Sequence, residues 1–348
     1  EELGPFDETF HIPAFLEGGR TTENGIHYLN GMPVHTTDFG HDNIFGFSTS
    51  NLAKWIEEKS FGKIQAKNIL HVKIKQLDMA FNDEDGFESL LKFLSKLENN
   101  TSVVVDAKLP HHLEILASAI KVVSKEKRFL FRTAASFINS LSALPPNPKC
   151  TADLVSLKSK NNEYKYKPGL IIVGSHVKLA TDQLKVLLID NSCKGLEIPV
   201  SKLANTFALE DRQQAILEIE YTLLSKIDNI LDLEKVPVLY TSREEMKFSS
   251  YSERMTFGLE LAEFMSILVR KITNKLGYII SKGGITTQIL LQKGLNFNHV
   301  NLKGQILPGL SIVTGDSDQY NLPVVTFPGN LGNEKTLLEV LKLMDSIA

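Results

Sequence analysis

The chain has 348 residues, of which 43% are apolar and 23% charged, and its 38 basic and 41 acidic side chains give a formal net charge of −3. At roughly 150 residues per domain, this length predicts two domains. The composition is typical of a globular protein and excludes a disordered chain. Because there is no basic excess, nucleic acid is not an expected partner.

The two cysteines, Cys150 and Cys193, exclude a disulfide scaffold and an all-cysteine metal site. No apolar run approaches the ~18 residues of a membrane span, so a membrane is not an expected partner either. No charged and then apolar leader follows Glu1, and we therefore expect a cytoplasmic protein.

The first part of the chain is rich in glycine, asparagine, histidine and threonine and then becomes regular. Apolar residues at helical spacing predict helices over Ser50 to Lys59, with Ser50 as N-cap, over Gly86 to Leu97 and over Leu113 to Val123. β-Branched and aromatic runs predict strands over Thr101 to Asp106 and Arg128 to Arg132.

A change of composition in the middle of the chain predicts a domain boundary. Leu144 to Pro148 contains three prolines, and Lys158 to Lys167 is polar, as is typical of a linker. We predict a first domain over 1–145, a linker over 146–167 and a second domain over 168–348.

The second domain alternates strands and helices more clearly, which predicts an α/β fold with a mostly parallel sheet and helices on both faces. Each of four predicted strands runs into a small polar or glycine-rich loop. The strand and loop pairs are Leu170–Val173 with Gly174-Ser175, Val236–Tyr240 with Thr241 to Glu244, Tyr278–Ile280 with Lys282 to Thr286, and Val324–Phe327 with Pro328 to Gly332.

Loops of this kind are candidates for phosphate binding. Ligands of open α/β sheets bind at the carboxyl ends of strands, where backbone N–H groups at helix starts bind anions. The sharpest of the four is Lys282 to Thr286, because it offers two glycines, a hydroxyl and a lysine that could meet a phosphate. Ordinary turns between strands and helices are the alternative for any one loop. The Walker A, dinucleotide-binding, zinc-protease and Gly-x-Ser-x-Gly patterns do not occur.

In the first domain, Gly19 and Arg20 form a Gly-Gly-Arg turn suited to binding a carboxylate or phosphate, with a solvated surface turn as the alternative. Arg132 lies at a strand end before Thr133 to Ser136, where a helix cap is the alternative. Asp42 and Asp106 are candidate carboxylates, although both fit turn or strand-end positions better. The pair His111-His112 stands at a predicted helix start. We do not expect a metal site there, because successive residues of a helix do not face each other.

Several motifs in order along the chain resemble one family. They are Pro13 to Thr22, Thr37 to Gly46, Phe129 to Phe137, Val173 to Val177, Tyr240 to Glu244, Lys282 to Thr287, Gly304 to Gly309 and Phe327 to Gly332. Together they resemble the four-carbon acid sugar kinase family, once a family of unknown function, over nearly the whole chain from about Ile12.

The resemblance implies two domains, each a mostly parallel sheet flanked by helices, with the active site in the cleft between them. It implies ATP and Mg²⁺ as cofactors and a four-carbon sugar acid, such as threonate, erythronate or an oxo derivative, as the substrate. A homo-oligomer is possible, and the oligomeric state is not predicted. The implied ATP contacts are Ser175, Gly283, Gly284, Ile285, Thr286 and Gly329, with Thr241 and Ser242 nearby. The implied substrate contacts are Gly19, Arg20 and Arg132.

One departure from the family pattern concerns the start of the chain. Family members carry Asp-Asp-x-Thr-Gly and Asp-Ser-Thr-Leu-Arg-Gly type segments before the point that corresponds to Ile12, and neither occurs here. We therefore expect the catalytic base in a missing N-terminal segment and assign none in this chain. The alternatives are a non-catalytic nucleotide- or metabolite-binding protein and an isomerase or aldolase acting on phosphorylated sugars.

Overall fold

Two units, Glu1–Pro146 and Asn147–Ala348, make up the chain. A computed structural model describes residues 4–41, 46–143, 151–163, 165–243, 246, 248–315 and 322–345. No helix in these ranges is long and apolar enough to cross a membrane.

The described part of the first unit contains seven strands and five α-helices. The strands are β1 (Glu8–Ile12), β2 (Arg20–Glu23), β3 (Ile26–Leu29), β4 (Met32–Pro33), β5 (Leu70–Val72), β6 (Thr101–Val105) and β7 (Phe129–Thr133). The helices are α1 (Leu52–Lys59), α2 (Ile74–Asn82), α3 (Glu84–Ser95), α4 (Pro110–Val123) and α5 (Ala135–Ser142). Strands β5, β6, β1 and β7 form a parallel sheet in that order, and β2, β3 and β4 form a small antiparallel sheet.

One face of the parallel sheet carries the hydrophobic core of the first unit. Phe10 and Ile12 of β1 and Val103 of β6 are fully buried there, because alternate residues of a strand point to the same face. They form one cluster with apolar side chains of α2, α3 and α4. The rings of Phe129 and Phe131 lie 5.6 and 5.7 Å from the ring of Phe10, so three aromatic side chains fill the centre of this face.

Helix α1 packs its apolar side on Val104, on the other face of the sheet. The predicted helix is confirmed, but its predicted N-cap is wrong. The side chain of Asn51, not Ser50, accepts the hydrogen bond from the backbone N–H of Lys54, at 3.0 Å. The Ser50 hydroxyl accepts the backbone N–H of His35 instead, so it is committed elsewhere.

The hairpin of β2 and β3 was not predicted. Its two strands are joined by Asn24 and Gly25, whose φ angles are +52° and +72°. Both angles are positive, as a two-residue hairpin turn requires, and an Asn-Gly pair between strand-like runs is a recognised sign of such a turn.

Three buried ionisable side chains make the stability of the first unit depend on pH in two directions. Burial lowers the pKa of both His11 and His27 to about 4 and raises the pKa of Glu8 to about 8. Below the ordinary histidine pKa of 6.5, these two histidines bind protons in the unfolded chain but stay neutral in the folded chain. The free energy of unfolding therefore falls as the pH falls towards 4. Between pH 4.5 and 8 the folded chain keeps a proton that unfolded Glu8 releases, so this contribution falls as the pH rises.

The Glu8→Gln variant is expected to remove the alkaline branch of this dependence. Between pH 6.5 and 8, the free energy of unfolding of the wild type should fall by about 2 kcal/mol relative to that of the variant. The reason is that one proton corresponds to about 1.4 kcal/mol for each pH unit. Urea unfolding followed by the fluorescence of Trp55, the single tryptophan, reports on the first unit. The same substitution at exposed Glu88 is the control, and an equal pH dependence of wild type and Glu8→Gln would refute the assignment.

The described part of the second unit contains seven strands and seven α-helices. The strands are β8 (Gly169–Val173), β9 (Cys193–Ile198), β10 (Val236–Thr241), β11 (Tyr278–Lys282), β12 (Val300–Leu307), β13 (Leu310–Gly315) and β14 (Val324–Phe327). The helices are α6 (Thr151–Val155), α7 (Lys178–Leu187), α8 (Val200–Phe207), α9 (Gln213–Asp232), α10 (Tyr251–Ile272), α11 (Gly284–Ile289), which continues into a π-helical turn at Leu290–Gly294, and α12 (Thr336–Asp345).

These strands form one sheet in the order β12-β13-β14-β11-β8-β10-β9. The five strands from β14 to β9 are parallel, and β12 and β13 add an antiparallel edge. Apolar residues of α8, α9 and α10 pack on one face, and those of α6, α7 and α12 pack on the other. The predicted α/β fold of two units, each with a mostly parallel sheet flanked by helices, is therefore confirmed.

The path of the chain through this sheet reverses at β8. From β8 the chain passes through α7 to β9 and then β10, and it crosses through α10 to β11 on the other side of β8. Helix α7 belongs to one face, and α10 with the π-helical turn after α11 belongs to the opposite face. The carboxyl ends of β8 and β11 therefore form the topological switch point, which is where ligands bind in open α/β sheets.

The predicted linker over 146–167 is not an open connection along its described part. Leu154 and Val155 of α6 are fully buried in the core of the second unit. Lys167 then pairs its backbone N–H with the Ser159 carbonyl at 2.9 Å. These two apolar residues lie before the lysine-rich run Lys158 to Lys167, on which the linker prediction rested. The proline-rich residues 144–150 lie outside the described part of the chain.

Candidate functional site

Three loops meet at the switch point of the second unit. Ser175 follows β8, the run Gly283 to Thr286 follows β11, and Gly329 follows β14. We refer to these residues as the glycine-loop cluster. All of them are among the residues predicted to contact ATP, so the fold brings together one group that the sequence distributes over about 150 positions.

The register of the sheet explains why these loops are neighbours. Val173, Lys282 and Phe327 occupy the same level at the ends of adjacent parallel strands. The loops are then tied across the strands: the N–H of Gly174 donates to the Lys282 carbonyl at 3.1 Å, and the N–H of Gly283 donates to the Phe327 carbonyl at 2.9 Å. The starts of all three loops are thus fixed by backbone hydrogen bonds.

The glycines are needed because the loops approach one another closely. A methyl group on Gly329 would overlap the Ser175 hydroxyl, and one on Gly174 would overlap the Thr286 hydroxyl. Gly283 has a φ of +124°, which side chains rarely adopt, and a methyl group there would lie 3.2 Å from the Ser175 nitrogen. The three loops can therefore pack this closely only while these positions lack side chains.

The remaining members of the run after β11 have different surroundings. Above Gly284, no atom of the described residues lies within 4 Å of where a Cβ would be, so its backbone is open to an approaching group. The side chain of Ile285 is partly exposed, and Thr286 is buried against Gly174. Thr287 is committed to the fold, because its hydroxyl lies 2.9 Å from that of Ser281.

Thr241 and Ser242, which were predicted to lie near ATP, are engaged in different contacts. The Thr241 hydroxyl is buried and lies 3.0 Å from Nε2 of His176, the residue after Ser175, so it adjoins the glycine-loop cluster. The Ser242 hydroxyl accepts the backbone N–H of Val200 at the start of α8, at 3.2 Å. Ser242 thus holds a neighbouring helix, and its role at a ligand stays a prediction.

Arg243 is a residue of this site that the sequence analysis did not single out. Its guanidinium donates to the Ser175 carbonyl at 2.5 Å and to the Val173 carbonyl at 3.3 Å. Burial lowers its pKa, and its buried Nε has no hydrogen-bond partner among the described residues. The Arg243 guanidinium thus holds the backbone of the Ser175 loop in place. Only its place directly after Thr241 and Ser242 could have indicated it.

Lys282 differs from its expected place in a loop. It is the last residue of β11, and its side chain is fully buried. The amine donates to the Pro328 carbonyl at 2.9 Å and lies 3.8 Å from the centre of the Phe327 ring. It therefore contacts the loop after β14 and does not present its charge from an exposed turn.

In the first unit, the Gly-Gly-Arg turn is rigidly built. Gly19 has a φ of +69°, and a methyl group there would overlap the Asn30 side chain. The backbones of Phe15 and Arg20 exchange two hydrogen bonds, at 3.0 and 2.9 Å. The Arg20 guanidinium lies 5.3 Å from the centre of the Phe15 ring, and burial lowers its pKa. The turn thus presents a cation in a fixed orientation.

The segment around Arg132 meets this turn through Ser136 and not through its arginine. The Ser136 hydroxyl accepts the backbone N–H of Leu16 at 3.0 Å and donates to the Glu17 carboxylate. The Arg132 guanidinium lies 4.5 Å from the centre of the Trp55 ring. The residues just before the Gly-Gly-Arg turn, Leu16 and Glu17, therefore contact the start of α5, whereas Arg132 stacks on Trp55 of α1.

Asp106 serves the hairpin turn. Its carboxylate accepts the backbone N–H groups of Asn24 and Gly25, both at 2.9 Å, and lies 2.9 Å from Nε2 of His71. Because it is buried and fully engaged, it has a structural position and not that of a catalyst. Asp42, the other candidate carboxylate, lies outside the described residues.

His111 and His112 do share a partner, contrary to the expectation from their spacing. Their Nε2 atoms lie 3.1 and 2.9 Å from the same oxygen of Asp78, because both residues stand in the first turn of α4, beside α2. Nδ1 of His112 accepts the backbone N–H of Lys108 at 3.1 Å, so a neutral ring carries its hydrogen on Nε2 and donates it to Asp78. His112 therefore has no free lone pair for a cation, and the three residues cap α4.

Comparison with known protein families assigns the two units separately. Residues 1–141 match a sugar-binding N-terminal domain, and residues 170–337 match a nucleotide-binding C-terminal domain. The glycine-loop cluster lies in the nucleotide-binding domain and the Gly-Gly-Arg turn in the sugar-binding domain.

Solved structures share the fold. A protein of Salmonella typhimurium LT2 described as a candidate tRNA synthase has 16% identity and a TM-score of 0.60, covering 96% of this chain and 73% of its own. A Haemophilus influenzae protein of the DUF1537 family has 19% identity and a TM-score of 0.53, covering 98% and 74%. A DUF1537 protein of Bordetella bronchiseptica has 17% identity and a TM-score of 0.42, covering 97% and 72%. No curated protein matches the chain.

The molecule is thus a two-domain protein that combines a sugar-binding domain with a nucleotide-binding domain. The two domains in this order, with the motifs they contain, show that the chain belongs to the four-carbon acid sugar kinase family, formerly DUF1537. The suspected family is confirmed. The residue roles implied by the resemblance stay predictions.

Proposed function

We propose that the chain is an ATP-dependent kinase that phosphorylates a hydroxyl group of a four-carbon sugar acid, such as threonate, erythronate or an oxo derivative. The observation that carries this proposal is the glycine-loop cluster at the switch point of a nucleotide-binding domain. Phosphoryl transfer needs little covalent work from a protein, which must align donor and acceptor and balance the charge of the moving group.

The residues of the second unit suit a polyphosphate. Gly283 and Gly329 let the loops approach Ser175 closely, because a Cβ at either position would press on that residue. Backbone N–H groups of such closely packed loops can bind phosphate oxygens. Two cations, the buried Lys282 and the half-buried Arg243, support the same loops. Ser175, Gly283 to Thr286 and Gly329 would hold the phosphates. Mg²⁺, when bound, would be held chiefly by those phosphates and its own waters, since it keeps several waters in such sites.

The residues of the first unit suit a small carboxylate. The Arg20 guanidinium has a planar fork that can donate two parallel hydrogen bonds to a carboxylate. Its orientation is already fixed by Phe15 and the turn at Gly19, so little conformational entropy is lost on binding. We propose Gly19 and Arg20 as the carboxylate site, with Arg132 as a more distant contact. The base that accepts the hydroxyl proton is left unassigned.

Calorimetric titration of the full chain with MgATP and with each sugar acid tests both assignments. We expect MgATP to bind with one site per chain, and at least one of D- and L-threonate and D- and L-erythronate to bind independently. The matched polyols, which lack the carboxylate, should bind more weakly. Absence of MgATP binding would refute the nucleotide site, and equal binding of acids and polyols would refute the carboxylate site.

A further inference from the structure

Lys282 is an unusual element of the glycine-loop cluster, because its cationic side chain is completely shielded from solvent. Its amine has one hydrogen-bond acceptor in the described structure, the carbonyl of Pro328, at 2.9 Å. The face of the Phe327 ring covers the amine at 3.8 Å from the ring centre. The lysine is thus held between β11 and the first residue of the loop that carries Gly329.

No negatively charged group of the described residues compensates the Lys282 amine. In the described ranges Lys282 forms no ion pair, and burial alone accounts for the lowering of its pKa from 10.5 to about 7. A carbonyl and a ring face compensate only part of the cost of burying an ammonium group. A second cation, the half-buried Arg243, is likewise bonded to carbonyls, and the ionisable groups near it in the described ranges are Glu197 and Tyr240.

The position of this uncompensated charge is informative. Pro328, which Lys282 contacts, precedes Gly329, and Gly329 stands against the Ser175 hydroxyl. Gly283, which follows Lys282 directly, stands against the Ser175 backbone. Lys282 is therefore connected to two of the loops that would hold the phosphates: the loop that begins at Gly283 and the loop that carries Gly329.

We propose that Lys282 is a positioning residue of the nucleotide site: its amine fixes the loop after β14 through the Pro328 carbonyl, and bound phosphates supply the negative charge that this buried group lacks. The proposal rests on the proposed nucleotide function. It follows that the amine takes up a proton from the buffer when the nucleotide binds. The proton adds to the nitrogen lone pair, and no bond to the nucleotide is formed.

Proton uptake on binding can be measured directly. Titrations of the full chain with MgADP are run in two buffers of different ionisation enthalpy, at about pH 8, where the ordinary phosphate pKa near 6 leaves the nucleotide deprotonated. The dependence of the heat on the buffer gives the number of protons exchanged. We expect the wild type to take up close to one proton per nucleotide at about pH 8 and close to none at about pH 6, where the amine is already charged.

Two substitutions separate this role from ordinary packing. Lys282→Met keeps the length of the stem without a charge, and Lys282→Arg keeps a charge that does not titrate. We expect neither variant to take up a proton, and we expect Lys282→Met to bind MgADP at least about tenfold more weakly, since a charge interaction of about 1.4 kcal/mol is lost. Uptake that persists in Lys282→Met would assign the proton to another group and overturn the proposal.

The wild-type data decide the question even if a variant does not fold. Nucleotide binding without proton uptake at about pH 8 would refute the role of Lys282 and leave the kinase proposal intact. Failure of the wild type to bind MgADP at all would refute the nucleotide site itself and, with it, this inference.

Discussion

Replacing Gly283 with alanine is expected to weaken MgATP binding by about tenfold to a hundredfold. The backbone at this position has a φ of +124°, which costs a residue with a side chain on the order of 1–3 kcal/mol. The added methyl group would also press on the Ser175 nitrogen, 3.2 Å away, and so displace one loop of the glycine-loop cluster from another. Calorimetric titration with MgATP measures the loss.

The same substitution at Gly258 is the matched control. Gly258 lies within α10, is exposed, and has no atom of the described residues near the position of a Cβ. An alanine there should stabilise the helix by up to about 1 kcal/mol and leave MgATP affinity unchanged. Thermal unfolding of both variants shows whether Gly283→Ala is folded. An unchanged MgATP affinity in folded Gly283→Ala would contradict the assignment of this loop.

Replacing Arg20 with methionine is expected to raise the dissociation constant for the sugar acid by about tenfold to a hundredfold. The loss corresponds to about 1.5–3 kcal/mol for a hydrogen bond to a charged group. Methionine keeps the apolar contact with Phe15, so the turn should stay in place. Binding of the matched polyol, which has no carboxylate, should change little, and MgATP affinity should not change.

Arg128→Met is the matched control for Arg20→Met. Its guanidinium also lies on an aromatic ring, that of Phe6, at 5.4 Å, but it stands at the amino end of β7, opposite the strand ends that lead to the Gly-Gly-Arg turn. We expect no change in sugar-acid affinity in this variant. If Arg20→Met weakened the acid and the polyol equally, the role of Arg20 in carboxylate binding would be wrong.

The repeating part of the fold could be predicted from the sequence because local pattern and tertiary structure agree there. Strands β8, β10, β11 and β14 of the second unit come from short apolar runs, and each is followed by small polar residues or glycine within two positions. In a parallel sheet both faces are buried, so such runs are continuous and easy to recognise. The parallel arrangement then places all the following loops at one edge, which is why Ser175 and Gly283 are found together.

Elements with mixed patterns could not be recognised in the same way. The 20-residue helix α9 buries an apolar stripe of Ile219, Leu223, Ile227 and Ile230, but the exposed Leu217 and Tyr221 obscure this stripe in the sequence. In the antiparallel edge of β12 and β13, Leu302 is exposed, so the apolar residues of β12 do not mark its buried face in the sequence. In α6, Leu154 and Val155 are two apolar residues in a polar stretch, and only the tertiary core shows their importance.

The chemistry of the site was predicted in part for a similar reason. Glycines in loops indicate close approach or positive φ. Close approach is found at Gly283 and Gly329, and a positive φ at Gly283. The direction of a long side chain depends on neighbours far along the chain, and no local pattern shows it. Lys282 therefore turns inward to Pro328, Arg132 stacks on Trp55, and Arg243 supports Ser175, all without a sign in the sequence.

Transfer of labelled γ-phosphate from MgATP to a sugar acid is the most direct test of the kinase proposal. The full chain is incubated with the D and L forms of threonate and erythronate and their oxo derivatives, and with the matched polyols as controls. We predict one labelled sugar acid per ADP formed with at least one acid, and a rate that falls in both Gly283→Ala and Arg20→Met. Binding of MgATP and of the acid with no labelled product from any of them would contradict the kinase proposal and favour a protein that binds both ligands without catalysis.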